Sequence, residues 1–393
     1  MSFAFSATFD MKFRDLLEFI PEEDLSYLSA ETRVDYQVKK LKGSIVFKLI
    51  LYTMLESSDS SLRVMERFFN SSKFKLLANV PDIETRHNSL SDRITNIEVG
   101  YFEELFSLVF NRFNHHLNEE SDIQIYDSTM IALSSKLVDW GMKVGAKTNK
   151  VQLKITLGMQ GSLPCTFKVF DKPEALCEDK TIPQTILEYD NNKLSIVVFD
   201  RGVQKRTTFV GLADEDIVFV TRIKVNVNYQ LVKANSFEKV ENSSVQITED
   251  LEIFFIERGT RKPIQKSFRL IKGVIKETQK ELFLLTNHFE LTPYEIADIY
   301  KRRWEIEVFF RFIKQQLNFK HLVNRSSNGI KVMVYMTMIL AILITVYKKE
   351  NKLKGYKIVK LKIANELFDS LLREIATIIG GDPNLLARYL NDI

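Results

Sequence analysis

The sequence predicts an α/β protein, a mixed sheet with helices packed against it, set between helical N- and C-terminal regions. Three observations predict it. Residues 1–118 and the C-terminal third space their apolar side chains three and four apart, the period of an amphipathic helix. From about residue 122 that period gives way to short apolar runs bounded by turn residues, linked first as hairpins and then through helical stretches. The composition, 45% hydrophobic and 27% charged with 14 Gly and 8 Pro in 393 residues, excludes a disordered or collagen-like chain and suffices for a sizeable core.

The first region contains KGSIVFKLILYTMLE and SSLRVMERFFN, both with a helical apolar stripe. Their short link at residues 57–61 would suit a helix-turn-helix pair that enters a major groove. A plain helical bundle is preferred, because no recognition face stands out. Residues 123–126 (IQIY) then form a strand that runs into Asp127, and runs 153–159 and 164–170 make a hairpin around Gln160-Gly161-Ser162-Leu163. Run 194–199 (LSIVVF) is continuously apolar, as for a strand buried on both faces, and ends at Asp200-Arg201-Gly202. A helix at 203–212 and a strand at 217–223 follow. Alternating runs such as VQITEDLEIFFIE mark 225–280 as a β-rich insertion, after which 281–286 rejoins the main sheet. Thr292 is placed to cap a long helix opening at Pro293. The expected divisions are 1–118 helical, with a part in DNA-end binding; 119–224 and 281–347 as two parts of a core; 225–280 inserted; and 348–393 helical.

Run 332–347 is uncharged, but it is shorter than the ~20 residues a membrane span needs and is bounded by Lys331 and Lys348, so it reads as a buried core helix. The N-terminus lacks the basic start and long apolar core of a signal peptide. Two cysteines, Cys165 and Cys177, exclude a disulfide framework and fit a reducing compartment. A cytoplasmic protein with no membrane partner is expected. The net charge of +4 is compatible with a nucleic-acid partner without arguing for one.

Three acids carry the chemical argument. Asp127 and Asp200 each close an apolar strand, and open sheets bind ligands at the carboxyl ends of their strands. Taken alone, either is as readily a turn or capping residue. The third acid lies on the long helix that opens at Pro293, in the stretch YKRRWEIEVFFRFIK from Tyr300 to Lys314. At about 100° per residue, Tyr300, Arg303, Glu307, Arg311 and Lys314 fall within an arc of about 80°, while Val308, Phe309, Phe310, Phe312, Ile313 and Leu317 take the opposite, core face. Residues 300–320 hold six basic side chains against two acidic ones, a surplus equal to the net charge of the whole chain. A basic stripe around one carboxylate suits a place where phosphates approach a metal ion. The plainer alternative is a solvated face with an i,i+4 ion pair.

The spacing Tyr-x2-Arg-x3-Glu-x6-Lys resembles the signature of the bacterial insertion-sequence transposases of the IS-four family, members of the DDE class with a ribonuclease-H-like core. YDS at Asp127, FDRG at Asp200 and FLLTNHFELTPYEIADIYKRRWEIEVFFRFIKQQL at Glu307 are similar to that family's blocks, in its order, over about residues 85–345. The resemblance implies that Asp127, Asp200 and Glu307 bind two Mg²⁺ ions, with Mn²⁺ able to substitute, and that Tyr300, Arg303 and Lys314 contact DNA phosphates; Arg311, on the same basic stripe, is expected to bind DNA with them. It implies cut-and-paste transposition by strand cleavage and 3′-OH strand transfer. The expected partners are double-stranded DNA, both terminal inverted repeats and target, and a second copy of the chain, acting in the bacterial cytoplasm at the nucleoid. The β-rich segment in the 107-residue gap between Asp200 and Glu307 is also family-like. A nuclease without strand transfer, an inactive DNA-binding repressor and a two-carboxylate sugar hydrolase are the rivals.

Smaller expectations follow. Phe254 or Phe255 would stack a flipped base if a hairpin forms. Thr221-Arg222, Lys147-Thr148-Asn149-Lys150 and His321 would touch DNA, or else be ordinary surface residues. The five His lack metal-ligand spacing.

Overall fold

The computed structural model describes residues 12–57, 60–118, 121–133, 141–143, 151–189, 195–257, 259, 261–317, 319 and 326–382. It divides into two compact units: Met1–Asn118 with Arg311–Ile393, and Glu119–Phe310. The segment 147–150 and His321 lie outside the described residues.

The first unit is helical: α1 (Phe13–Glu18), α2 (Glu22–Thr32), α3 (Gly43–Glu56), α4 (Leu62–Phe69), α5 (Ser72–Leu77), α6 (His87–Asn96) and α7 (Gly100–Leu117) are joined by α12 (Ser327–Glu350) and α13 (Tyr356–Ile378), numbered along the whole chain. Ser61 and Ser326 start α4 and α12 by accepting the N–H of Val64 and Gly329 at 3.3 and 2.9 Å. By length and composition α12 could cross a membrane, yet 89% of its most apolar stretch is buried inside the protein, where it packs on α6 and α7. A helix apolar around its whole circumference belongs in the middle of a bundle. α3, the first helix of the alternative helix-turn-helix reading, is likewise buried along most of its length.

The second unit is built on one mixed sheet. Its strands are β1 (Ile123–Leu133), β2 (Met142–Lys143), β3 (Val151–Gln160), β4 (Leu163–Phe170), β5 (Ile196–Phe199), β6 (Val218–Arg222), β7 (Tyr229–Ala234), β8 (Val245–Ile256), β9 (Pro263–Ile275) and β10 (Lys280–Thr286). The order is β2-β3-β1-β5-β6-β10-β9-β8-β7, with β4 also paired to β3. β1, β5 and β6 are parallel; β3 and β4 run as an antiparallel hairpin beside β1. Helix α8 (Glu178–Leu187) leads into β5, and α9 (Arg206–Asp214) connects β5 to β6. Three antiparallel strands followed by two parallel ones joined through helices is the ribonuclease-H-like arrangement.

The core explains why these runs are strands. Tyr126, Val197, Phe199, Phe209, Phe219 and Leu285 are at most 2% exposed and form one cluster with Ile253, Phe255 and Phe268. Each such side chain taken from water stabilises the fold by about 1.5–3 kcal/mol. Gly158 lies opposite Tyr126 in the β1–β3 register, and a Cβ there would stand 2.7 Å from the Tyr126 ring. The tyrosine ring fills the place a side chain would take.

Residues 225–280 are β-rich as expected, but they do not form a separate unit. β10 pairs with both β6 and β9, so β7–β9 extend the same sheet. The alternation that marked these strands reports one buried face, which an added strand and a separate small sheet share. Phe255 is 1% exposed and packed against Phe209 and Phe268, so it belongs to the core and is not free to stack a base. β8 and β9 also carry a fully buried ion pair. The Arg269 guanidinium donates to both oxygens of Asp250 at 2.9 and 2.6 Å and to the carbonyls of His288 and Leu291, with side chains 5% and 1% exposed.

The long helix read from Pro293 is two helices. Thr292 caps α10 (Pro293–Lys301), with Glu295 bonding back to its N–H at 2.7 Å. Arg302 and Arg303 then make a turn before α11 (Trp304–Gln316). The amides of Arg302, Arg303 and Glu305 bond three residues back, to Ile299, Tyr300 and Arg302. This tighter winding shifts the face that continuous helical spacing assigned. Val308 is accordingly 39% exposed, whereas Phe309, Phe310, Phe312, Ile313 and Leu317 are buried as expected.

Candidate active site

Parallel pairing sets Asp127 beside Asp200. In the β1–β5 register Tyr126 is level with Phe199, so the next residue on each strand is one of the two acids. Adjacent strands lie about 4.8 Å apart. Asp200 is fixed by its own turn: its carboxylate accepts the N–H of Gly202 at 2.8 Å, and its carbonyl accepts the hydroxyl of Thr221 at 3.0 Å. Thr221 is fully buried, so it holds the Asp200 backbone instead of meeting a phosphate. Asp127 accepts the N–H of Ser128 at 2.7 Å.

The third acid enters through an arginine. The Arg303 guanidinium stands 3.7 Å from the Asp127 carboxylate and donates to Glu307 one helical turn further on. Burial works against the Arg303 charge; the Glu307 hydrogen bond and the charges of Tyr300, Glu307 and Asp127 outweigh it and hold the group above its ordinary pKa. Burial also raises the Tyr300 hydroxyl, opposed by Arg303 and Arg222. Asp127 is the most perturbed acid here. Its carboxyl is pushed up to about 7, first by burial, with the charges of Asp200 and Glu178 adding and the Ser128 N–H and Arg303 opposing.

Asp127, Asp200, Tyr300, Arg303 and Glu307 thus all lie in the sheet unit. Arg311, exposed, and Lys314, half-buried, lie on the part of α11 that is counted with the helical unit. Trp304, next to Arg303, is 54% exposed, an unusual state for a tryptophan. His87 and His116 pair with Glu66 and Glu350, and His288 accepts the amides of Glu290 and Leu291; none faces the acids.

One neighbour carries almost no signal in the sequence. Glu178 opens α8, and an acid in the first turn of a helix is the common case. Its carboxylate lies 2.7 Å from the ammonium of Lys154 and accepts the hydroxyl of Ser128 at 3.0 Å. The hint was Lys154 itself, a lone charge within the apolar run of β3.

Three carboxylates are the donor type that a hard divalent cation takes. The structure bears on the fit in two ways. Asp127 is held near neutrality partly by a like-charged neighbour, which a cation would relieve, and a guanidinium already stands as the positive group between Asp127 and Glu307. Among the described residues no three acid, His or Cys groups close on a single point. The donor set fits a divalent ion in kind, with Arg303 standing between its members.

Residues 118–344 match a family model described as a transposase DDE domain. The chain belongs to the DDE transposase family. It is similar to a putative transposase, y4zB, of Sinorhizobium fredii, at 25% identity over 67% of this chain and 72% of that protein. It is 26% identical to a putative transposase for insertion sequence element IS4SA of Synechocystis, over 81% of this chain and 85% of the relative. A probable transposase for insertion sequence element IS5377 of Geobacillus stearothermophilus is 21% identical over 66% of each. The transposase acts on DNA as an endonuclease and transferase, and its family generally uses divalent metal ions.

Proposed function

We propose that this transposase moves an insertion sequence by cut and paste, with Asp127, Asp200 and Glu307 as its metal-binding acids. What supports the reading is Arg303, whose one guanidinium reaches Asp127 and Glu307 while the strand register sets Asp200 beside Asp127. Two Mg²⁺ ions, or Mn²⁺ in their place, would neutralise charge at the scissile phosphate. A water oxygen attacks phosphorus and gives up a proton as the bond to the 3′ oxygen breaks and that oxygen takes one up. The freed 3′-OH then attacks a phosphodiester of the opposite strand or target, losing its proton and displacing the 3′ oxygen of the attacked strand, which leaves as a new 3′-OH. Arg303 would turn from the acids to a phosphate as DNA and cations enter, with Tyr300, Arg311 and Lys314 as further phosphate contacts. Two element ends must be held together, so the active complex is a dimer, working in the cytoplasm.

The test uses purified protein, Mg²⁺ and DNA bearing the element's ends. Asp127→Asn, Asp200→Asn and Glu307→Gln should each reduce cleavage to background while retaining end binding; full cleavage by any one removes that acid from the site. A pre-cut end with a free 3′-OH, supplied with target plasmid, should be joined to it. A nuclease of the same fold would leave the two apart.

A further inference from the structure

Glu178 is a fourth carboxylate beside the proposed metal-binding acids, and its contacts differ from theirs. One of its oxygens lies 2.7 Å from the Lys154 ammonium, whose side chain is 2% exposed. The other accepts the hydroxyl of Ser128, which is also 2.9 Å from that of Thr156. Ser128 is the residue that gives Asp127 its backbone N–H. Glu178 reaches the other strand as well. A Cβ on Gly202 would stand 2.7 Å from Glu178 Cγ and 2.8 Å from an Asp200 oxygen, so the Asp200 turn rests on the stem of Glu178. The neighbouring Asp179 accepts the amides of Gln204 and Lys205 at 2.8 and 2.7 Å, holding the chain beyond that turn. The first two residues of α8 therefore touch β1 next to Asp127 and the chain that follows β5 around Asp200.

We propose that Glu178 and Lys154 form a neutral strut that positions Asp127 and the Asp200 turn against each other, and that Lys154 keeps the Glu178 carboxylate from acting as a fourth metal ligand. A carboxylate next to a divalent ion is drawn to it unless another cation holds it. Lys154 is that cation; its own burial keeps water from its side of the pair, while the Glu178 side chain stays 29% exposed. The serine and glycine contacts complete the device: Glu178 must be present and ionised for support, yet its charge must be spent elsewhere. Glu178 and Lys154 are thus positioning residues. The inference rests on the metal-binding reading of Asp127, Asp200 and Glu307.

The experiment is calorimetric titration of the full chain with Mn²⁺, beside cleavage rates, for Lys154→Met, Lys154→Gln, Glu178→Gln, the Lys154→Met/Glu178→Gln pair, and Asp200→Asn as control. Either lysine variant should bind Mn²⁺ about tenfold more tightly, because the freed carboxylate joins the site. The second lysine variant serves if the first does not fold. Glu178→Gln should keep Mn²⁺ affinity within about twofold while cleavage slows about tenfold, and the double variant should return to wild-type Mn²⁺ affinity. Unchanged Mn²⁺ affinity in the lysine variants overturns the proposal. So does a loss in Glu178→Gln as large as that in Asp200→Asn, which would make Glu178 a ligand. If Asp200→Asn itself leaves Mn²⁺ binding intact, the metal-site reading has failed, an outcome distinct from either of these.

Discussion

Arg269 and Arg303, both in the sheet unit, face carboxylates and are used in opposite ways. Arg269 is spent entirely within the fold: two bonds to Asp250, two to carbonyls, and almost no exposure. Arg303 is divided between Asp127 and Glu307, is 18% exposed, and leaves Asp127 with a carboxyl pushed up to about 7. A saturated ion pair locks strands together. An under-supplied one leaves charge available for something not yet bound, and the second pattern is the one that marks a functional site.

The contrast is sharpest in stability. Arg269→Met strands the buried Asp250 and should cost about 3–5 kcal/mol, read by denaturant unfolding. A loss below about 1 kcal/mol would mean the two arginines are not different in kind. Arg303→Met should cost under about 1 kcal/mol, since its partners are partly solvated. Its larger effect should fall on DNA binding, with a salt slope shallower by about one. An unchanged slope would take Arg303 away from phosphate.

The subtlest effect concerns pH, with divalent ions removed by EDTA. The folded protein holds a proton on Asp127 up to about pH 7, whereas the unfolded chain releases it near 3.9. Native stability therefore falls as pH rises through that window, and the penalty is complete above it. Asp127→Asn should raise the melting temperature most at pH 8, with the gain fading toward pH 4. A gain that grows on acidification would reverse the sign and place the charge elsewhere.

Much of the fold was legible because it rests on local chemistry. The Thr292–Pro293–Glu295 cap, the apolar run that ends on Asp200 and the hairpin at Gly161 are each written within a few neighbouring residues. Asp200 follows the end of β5 as expected, but Asp127 does not close its strand: β1 runs on to Leu133, paired with β3, so only its parallel pairing with β5 stops there. The adjacency of the two aspartates depends on the pairing of Tyr126 with Phe199, a contact 73 residues apart that no local pattern encodes. The break at Arg302–Arg303 was hidden because a single tight turn leaves the spacing of polar and apolar residues nearly helical. Glu178 was hidden for a related reason: its partners Lys154, Ser128 and Gly202 come from three separate segments. That 225–280 would be β-rich was visible; which strand it would join was not.

The way β10 is threaded bears on anyone redesigning this enzyme. Leu285 of β10 lies opposite Thr221, the residue whose hydroxyl holds the Asp200 carbonyl. The four distal strands therefore cannot be excised as a cassette, since a deletion carried through β10 would remove the strand that lies against Thr221 and so against the Asp200 turn. Cargo or a reporter is better grafted at the β8–β9 tip, around Gly259, where an added Cβ meets nothing within 4 Å.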